Sequence, residues 1–101
     1  MGKIIWRQAA IDDLENIYDY IARDAPLRAI NFAEELTNQI KSLSDFPKIG
    51  QNNLPNLPSI RVFPYKNYVF IYKPIETNKG IELLRIFHGA QDYLNAFADD
   101  L

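Results

Sequence analysis

Three side chains of this sequence, Arg61, Arg85 and His88, are of the types that cut a phosphodiester bond. Guanidinium groups bind phosphate and stabilise developing charge, and an imidazole with an intrinsic pKa of about 6.5 can move the proton of a ribose 2′-hydroxyl. Each also has a plainer use. Arg85 sits in an apolar run with Leu83, Leu84, Ile86 and Phe87, where an unpaired buried charge costs several kcal/mol or more, so a structural ion pair with a carboxylate is the first expectation. Arg61 alternates with Phe63 near what reads as a sheet margin, and a solvated side chain lying over apolar neighbours explains it as well as function does. His88 ends its run ahead of Gly89, and without an obvious acidic partner a strand-end hydrogen-bonding role is the simpler reading.

Aromatic and acidic clusters divide in the same way. Tyr68 and Tyr72 share one face of a strand with Phe70 between them. Such a stripe reads as core or as protein contact ahead of a base-stacking platform. Tyr93, Leu94 and Phe97 recur at helical spacing near the C-terminus, where a short segment is ordered only if it docks on the body or on a partner. Asp12, Asp13, Glu15 and Asp19 read as a solvated helix face. A metal would need further ligands, and with His88 as the single histidine and no cysteine neither zinc nor another metal or cofactor is expected.

The elements that position these groups fit one small domain, residues 1–101, since a 101-residue chain with 48% hydrophobic content buries one core. Residues 3–7 read as a strand. Ala10, Ile11, Leu14, Ile17, Tyr18 and Ile21 mark a helix from Ala9 to Arg23, with Asp12 and Asp13 placed in its first turn. Asp24-Ala25-Pro26 opens a second helix reaching about Leu43, and so short a link makes the pair an antiparallel hairpin. Pro47, Gly50, Pro55 and Pro58 make 45–58 an extended surface loop. Ser59–Pro64, Asn67–Lys73 and Gly80–His88 read as a strand meander, with turns at Tyr65-Lys66 and Glu76-Thr77-Asn78-Lys79. By period-two alternation Glu82, Leu84, Ile86 and His88 share one face of the last strand and Ile81, Leu83, Arg85 and Phe87 the other. Ala90–Asp100 reads as a terminal helix. The fold class is α+β: an N-terminal strand, a helix hairpin packed on a small, mainly antiparallel sheet (β-α-α-β-β-β), and a short C-terminal helix.

Charge narrows the partners. A net charge of −2 and a pI near 5.3 oppose approach to a polyanion, because nucleic-acid affinity rests on cations releasing counterions. A protein partner is the expectation, with no direct nucleic-acid binding by the free chain. No run approaches the roughly 18 apolar residues of a membrane span, and the start is too short in its apolar run for a signal peptide. Absence of cysteine fits a reducing cytoplasm.

Five local patterns occur in order along nearly the whole chain: Ala9-Ala10-Ile11-Asp12-Asp13-Leu14-Glu15-Asn16-Ile17-Tyr18-Asp19-Tyr20-Ile21, Phe46-Pro47-Lys48-Ile49-Gly50, Ile60-Arg61-Val62-Phe63, Asn67-Tyr68-Val69-Phe70-Ile71-Tyr72, and Ile81-Glu82-Leu83-Leu84-Arg85-Ile86-Phe87-His88-Gly89-Ala90-Gln91-Asp92. Together they resemble the ParE toxins of the ParE/RelE superfamily of bacterial type II toxin–antitoxin systems. The resemblance implies the superfamily's compact fold, a cognate ParD-like antitoxin forming a hetero-oligomer with the chain, a part in plasmid stabilisation, and, for the ParE branch, poisoning of DNA gyrase. The superfamily also contains RelE-like toxins, which are ribosome-dependent mRNA endonucleases. In many of those the tyrosine of the middle hairpin strand is followed by arginine, whereas here Tyr68 is followed by Val69. A basic residue often follows their last strand, where this chain has Gly89-Ala90-Gln91-Asp92. The expectation is therefore a non-enzymatic toxin that contacts its target or antitoxin through Arg61, Tyr68, Tyr72, Arg85, His88, Tyr93 and Phe97. A nuclease working through Arg61, Arg85 and His88 is the alternative, and a toxin fold that has lost toxicity the third.

Overall fold

The computed structural model describes residues 2–52, 54, 56–75, 80–89 and 92–99. The expected turn Glu76-Thr77-Asn78-Lys79 and the ends of the expected terminal helix, Ala90 and Asp100, lie outside the described residues. In chain order the elements are β1 (Lys3–Trp6), α1 (Gln8–Ala22), α2 (Pro26–Asp45), β2 (Arg61–Tyr65), β3 (Tyr68–Pro74), β4 (Gly80–His88) and α3 (Tyr93–Asp99). Pro26 occupies the first turn of α2, where its missing N–H deprives the helix of nothing. Because α1 begins at Gln8, Asp12 and Asp13 fall beyond its first turn. The expected contact of these carboxylates with the positive end of the helix is therefore corrected, since that field fades within one turn.

The sheet order is β1-β4-β3-β2. β1 runs parallel to β4, and the other two pairings are antiparallel. The hairpin turn is Lys66-Asn67, one residue later than the sequence pattern places it, since Tyr65 pairs with Tyr68. Lys66 takes a φ of 53° there. α1 and α2 cover one face: Ala10, Leu36, Ile40 and Leu43 pack on Phe70, Tyr72, Ile81, Leu83 and Ile86. The other face carries Val62, Val69, Ile71, Leu84 and Phe87 beneath Leu54, Ile60 and Phe97 of α3. Burial on both sides is why β3 and β4 read as nearly continuous apolar runs.

A bulge resets the faces of β4. Ile71 pairs with Arg85 and the next residue, Tyr72, with Leu83, so Leu84 is the extra residue. The simple alternation expected from the sequence is corrected: Ile81, Leu83 and Ile86 face the helices, while Leu84 and Phe87 face α3. On the outer margin of β2, Val62 exchanges both backbone hydrogen bonds with Gln51. Two residues on, Pro64 has no N–H to offer outward, which blunts that edge against strand addition.

Candidate functional site

Arg61 and Tyr72 are neighbours across the β2–β3 ladder, and both serve the loop that follows α2. The Tyr72 hydroxyl donates to the Pro47 carbonyl at 2.9 Å and accepts from the Gly50 N–H at 2.8 Å. Arg61 Nη1 donates to the Lys48 carbonyl at 3.1 Å and the Gly50 carbonyl at 2.6 Å. Tyr72 is wholly buried, which raises its phenol pKa although the Gly50 N–H and the Arg61 charge oppose the shift. Of the two sequence expectations for Tyr72, core or contact, burial selects core. A Cβ on Gly50 would stand 2.5 Å from the Tyr72 hydroxyl oxygen, so the loop backbone closes on this tether only with glycine there. Among these tied residues, Phe46 and Ile49 nonetheless point outward, 65% and 57% exposed.

Arg85 meets the carboxylate that its apolar setting demands. Asp13 of α1 accepts from Arg85 Nε at 2.7 Å and Nη2 at 3.0 Å, and from the Ile86 backbone N–H at 2.9 Å. β1 covers β4 only from Gly80 to Leu83. Asp13 therefore caps an N–H on the margin that β1 leaves uncovered. The Arg85 guanidinium lies 4.3 Å from the centre of the Phe87 ring, adding a cation–π contact. Asp13 had read as one of four solvated acids. This is a correction, and the cause is tertiary: the packing of α1 brings Asp13 to the margin of β4 that β1 leaves uncovered, within reach of the Arg85 side chain and the Ile86 amide.

His88 lies at the end of β4, exposed, with its ring edge-on to Tyr68 at 5.3 Å between centroids. The two border a groove of about 570 Å³ between the α1–α2 link and the β2–β3 turn, whose walls include Tyr20, Phe32, Arg28, Glu35 and Lys66. Lys66 Nζ donates to both Glu35 oxygens at 2.6 and 2.7 Å. That hydrogen bond raises its pKa. Burial raises the Tyr68 pKa, with a smaller contribution from Tyr20. Tyr93 and Phe97 lie on the opposite face, Phe97 buried and Tyr93 packed beside it, while Leu94 is exposed.

The sequence-derived trio is thus not one site. Arg61 lies on the Arg61–Tyr72–Leu83 row and His88 on the Tyr65–Tyr68–His88 row. Four residues of strand put them about 13 Å apart along the strand direction alone. Arg85 pairs with Ile71, whose side chain belongs to the face away from the helices. Among the described residues no group of three or more His, Cys, Asp or Glu side chains is arranged to hold a metal ion, and no helix is long and apolar enough to cross a membrane.

Residues 4–93 match the family described as the ParE toxin of the type II toxin–antitoxin system, parDE. The chain belongs to the ParE toxin family. It is a toxin of a type II toxin–antitoxin system within the ParE/RelE superfamily. The toxin is 31% identical over 91 residues to "Toxin RelE2" of Caulobacter vibrioides, covering 90% of this chain and 99% of that one. Its fold is similar to that in the chromosomal ParDE system of P. aeruginosa, with a TM-score of 0.71 at 23% identity over 87% of this chain and 96% of that one. It is also similar to the isolated E. coli RelE toxin, with a TM-score of 0.64 at 13% identity over the full length of both chains. The toxin–antitoxin complex RelBE2 of Mycobacterium tuberculosis gives 0.59 at 18% identity, covering 86% of this chain and 96% of that one.

Sequence reasoning missed Asp13, Tyr20, Phe46 and Ile49 as residues of interest. Exposure of Phe46 and Ile49 had a signal in advance: two large apolar residues flank Pro47-Lys48 in a stretch with no periodicity to bury them.

Proposed function

We propose that the toxin acts by docking onto a protein, DNA gyrase, without cutting RNA itself, and that a ParD-like antitoxin neutralises it by forming a hetero-oligomer in the cytoplasm. The observation carrying this reading is the dispersal of the nuclease candidates. A general base must come within about 3 Å of the proton it takes, and the phosphate-binding cations must reach the same reacting centre. Arg61 is engaged with the carbonyls of Lys48 and Gly50, Arg85 with Asp13, and His88 stands rows away beside Tyr68. The net charge of −2 supports the same reading, because it disfavours a free toxin that grips a polyanion.

Purified toxin added to a gyrase supercoiling assay should cause cleaved, enzyme-linked DNA to accumulate. Normal supercoiling at saturating toxin would refute the proposal.

One observation favours the RelE-like nuclease as the second reading: the relative at 31% identity is named "Toxin RelE2". Cell-free translation with mapping of transcript ends separates the two, and messages left intact by the toxin dismiss the nuclease.

A further inference from the structure

The Phe46–Gly50 loop joins an apolar exterior to a tightly fixed backbone. Its carbonyls and N–H groups are held from beneath by Tyr72 and Arg61, as described, and Ile49 N–H donates to the Phe46 carbonyl at 3.1 Å. The paired Gln51 and Val62 clamp the chain immediately beyond. Pro47 adds a fixed φ. Phe46 and Ile49 project from this frame largely into solvent. Protein interfaces draw most of their energy from a few large side chains, and rigid presentation removes the ordering cost of binding. Two apolar side chains on such a frame match that pattern.

Charge indicates what they meet. Lys48 stands between the two apolar residues, Lys41 lies one turn before Asp45 on the same side of α2, and Lys3 adjoins Gly2, whose N–H donates to Asp45 at 3.0 Å. All three lysines are exposed, and Asp45 beside them accepts that N–H while keeping its charge. Three exposed lysines against this aspartate make the named groups net positive, on a chain that is acidic overall. We infer that the loop is the target-docking element of the toxin, with Phe46 and Ile49 entering an apolar cleft on the target protein whose rim is acidic and faces Lys48. The inference rests on the protein-binding reading above and assigns it a surface.

The test measures the toxin concentration that traps half of the gyrase as cleaved complex, for wild type, Phe46→Ser with Ile49→Ser, and Lys48→Glu. Urea midpoints verify that each variant folds as wild type does, which the exposure of the three side chains favours. The double variant should require at least tenfold more toxin. Lys48→Glu should require several-fold more at low salt, a deficit that shrinks as salt screens the rim. Full potency of the double variant in an assay where wild type is active overturns the inference and leaves the gyrase reading standing. A Lys48→Glu variant indistinguishable from wild type at low salt overturns the acidic rim. Wild-type toxin that leaves gyrase untouched overturns the reading and the inference together. Flotation of wild type, but not of the double variant, with vesicles of equal parts phosphatidylglycerol and phosphatidylcholine would assign the loop to a membrane instead.

Discussion

Replacing Asp13 by alanine should destabilise the toxin far more than any other acidic change on α1. Its carboxylate accepts three N–H groups, two from Arg85 and one from the Ile86 backbone. The Arg85 and Asp13 side chains are 20% and 12% exposed. Removing one partner of a buried pair costs about 3–5 kcal/mol, chiefly because the other charge is stranded. Residual solvent at Arg85 and its contact with Phe87 moderate this, so about 2–3 kcal/mol is expected for Asp13→Ala. For a domain of this size that lowers Tm by roughly 10 °C or more. Urea and thermal unfolding followed by circular dichroism would measure it, with Asp12→Ala as the control. Asp12 is exposed and accepts only from the Gln8 side chain among the hydrogen bonds described, so its loss should stay within about 0.5 kcal/mol. Adding Arg85→Met to Asp13→Ala removes the stranded charge and should restore part of the stability, a coupling readable as a double-mutant cycle. If Asp13→Ala unfolds at the same urea concentration as Asp12→Ala, the assignment of Asp13 as the cap of the bulged β4 margin is wrong.

Tyr72→Phe strands the Gly50 N–H and the Pro47 carbonyl, both on buried residues, and should cost about 1–3 kcal/mol by urea unfolding. The same variant tests pH dependence. Burial raises the Tyr72 pKa above its ordinary 10.0, so its contribution to stability is whole below about pH 10 and is lost as pH rises through the folded-state value. The alkaline fall in Tm should therefore be smaller in Tyr72→Phe, the remainder including Tyr68, whose pKa is also raised; an unchanged alkaline limb would contradict this. Gly80→Ala should detach β1, because Gly80 has a φ of 136° and a Cβ would overlap the Lys3 backbone. Faster hydrogen exchange across Lys3–Trp6, or failure to fold, is the expected readout. Lys66→Ala should leave the urea midpoint close to that of wild type, since an exposed ion pair is largely screened by solvent, and a clear loss would show that the β2–β3 turn depends on Glu35.

Periodicity and turn chemistry made most of the architecture legible in the sequence. The 3.6-residue spacing of Leu14, Ile17 and Ile21 and the proline at position 26 determine the helix hairpin, because burial of an apolar stripe and a missing N–H are local facts. The runs at 67–73 and 80–88 determine the two central strands for the same reason, and an apolar environment around Arg85 already demanded a carboxylate. Which carboxylate it would be was not legible. Asp13 lies 72 residues away, in a cluster whose other members remain on the helix surface. The packing of α1 along the margin of β4 that β1 leaves uncovered decides the matter, and nothing in the composition of β4 announces it. In the same way, Arg61 and His88 are each of a type that can do chemistry, but pairing register sets them four rows apart and directs Arg61 to the Lys48 and Gly50 carbonyls. Residue type sets what a side chain is able to do, while strand register and the packing of helices on the sheet set what it can reach.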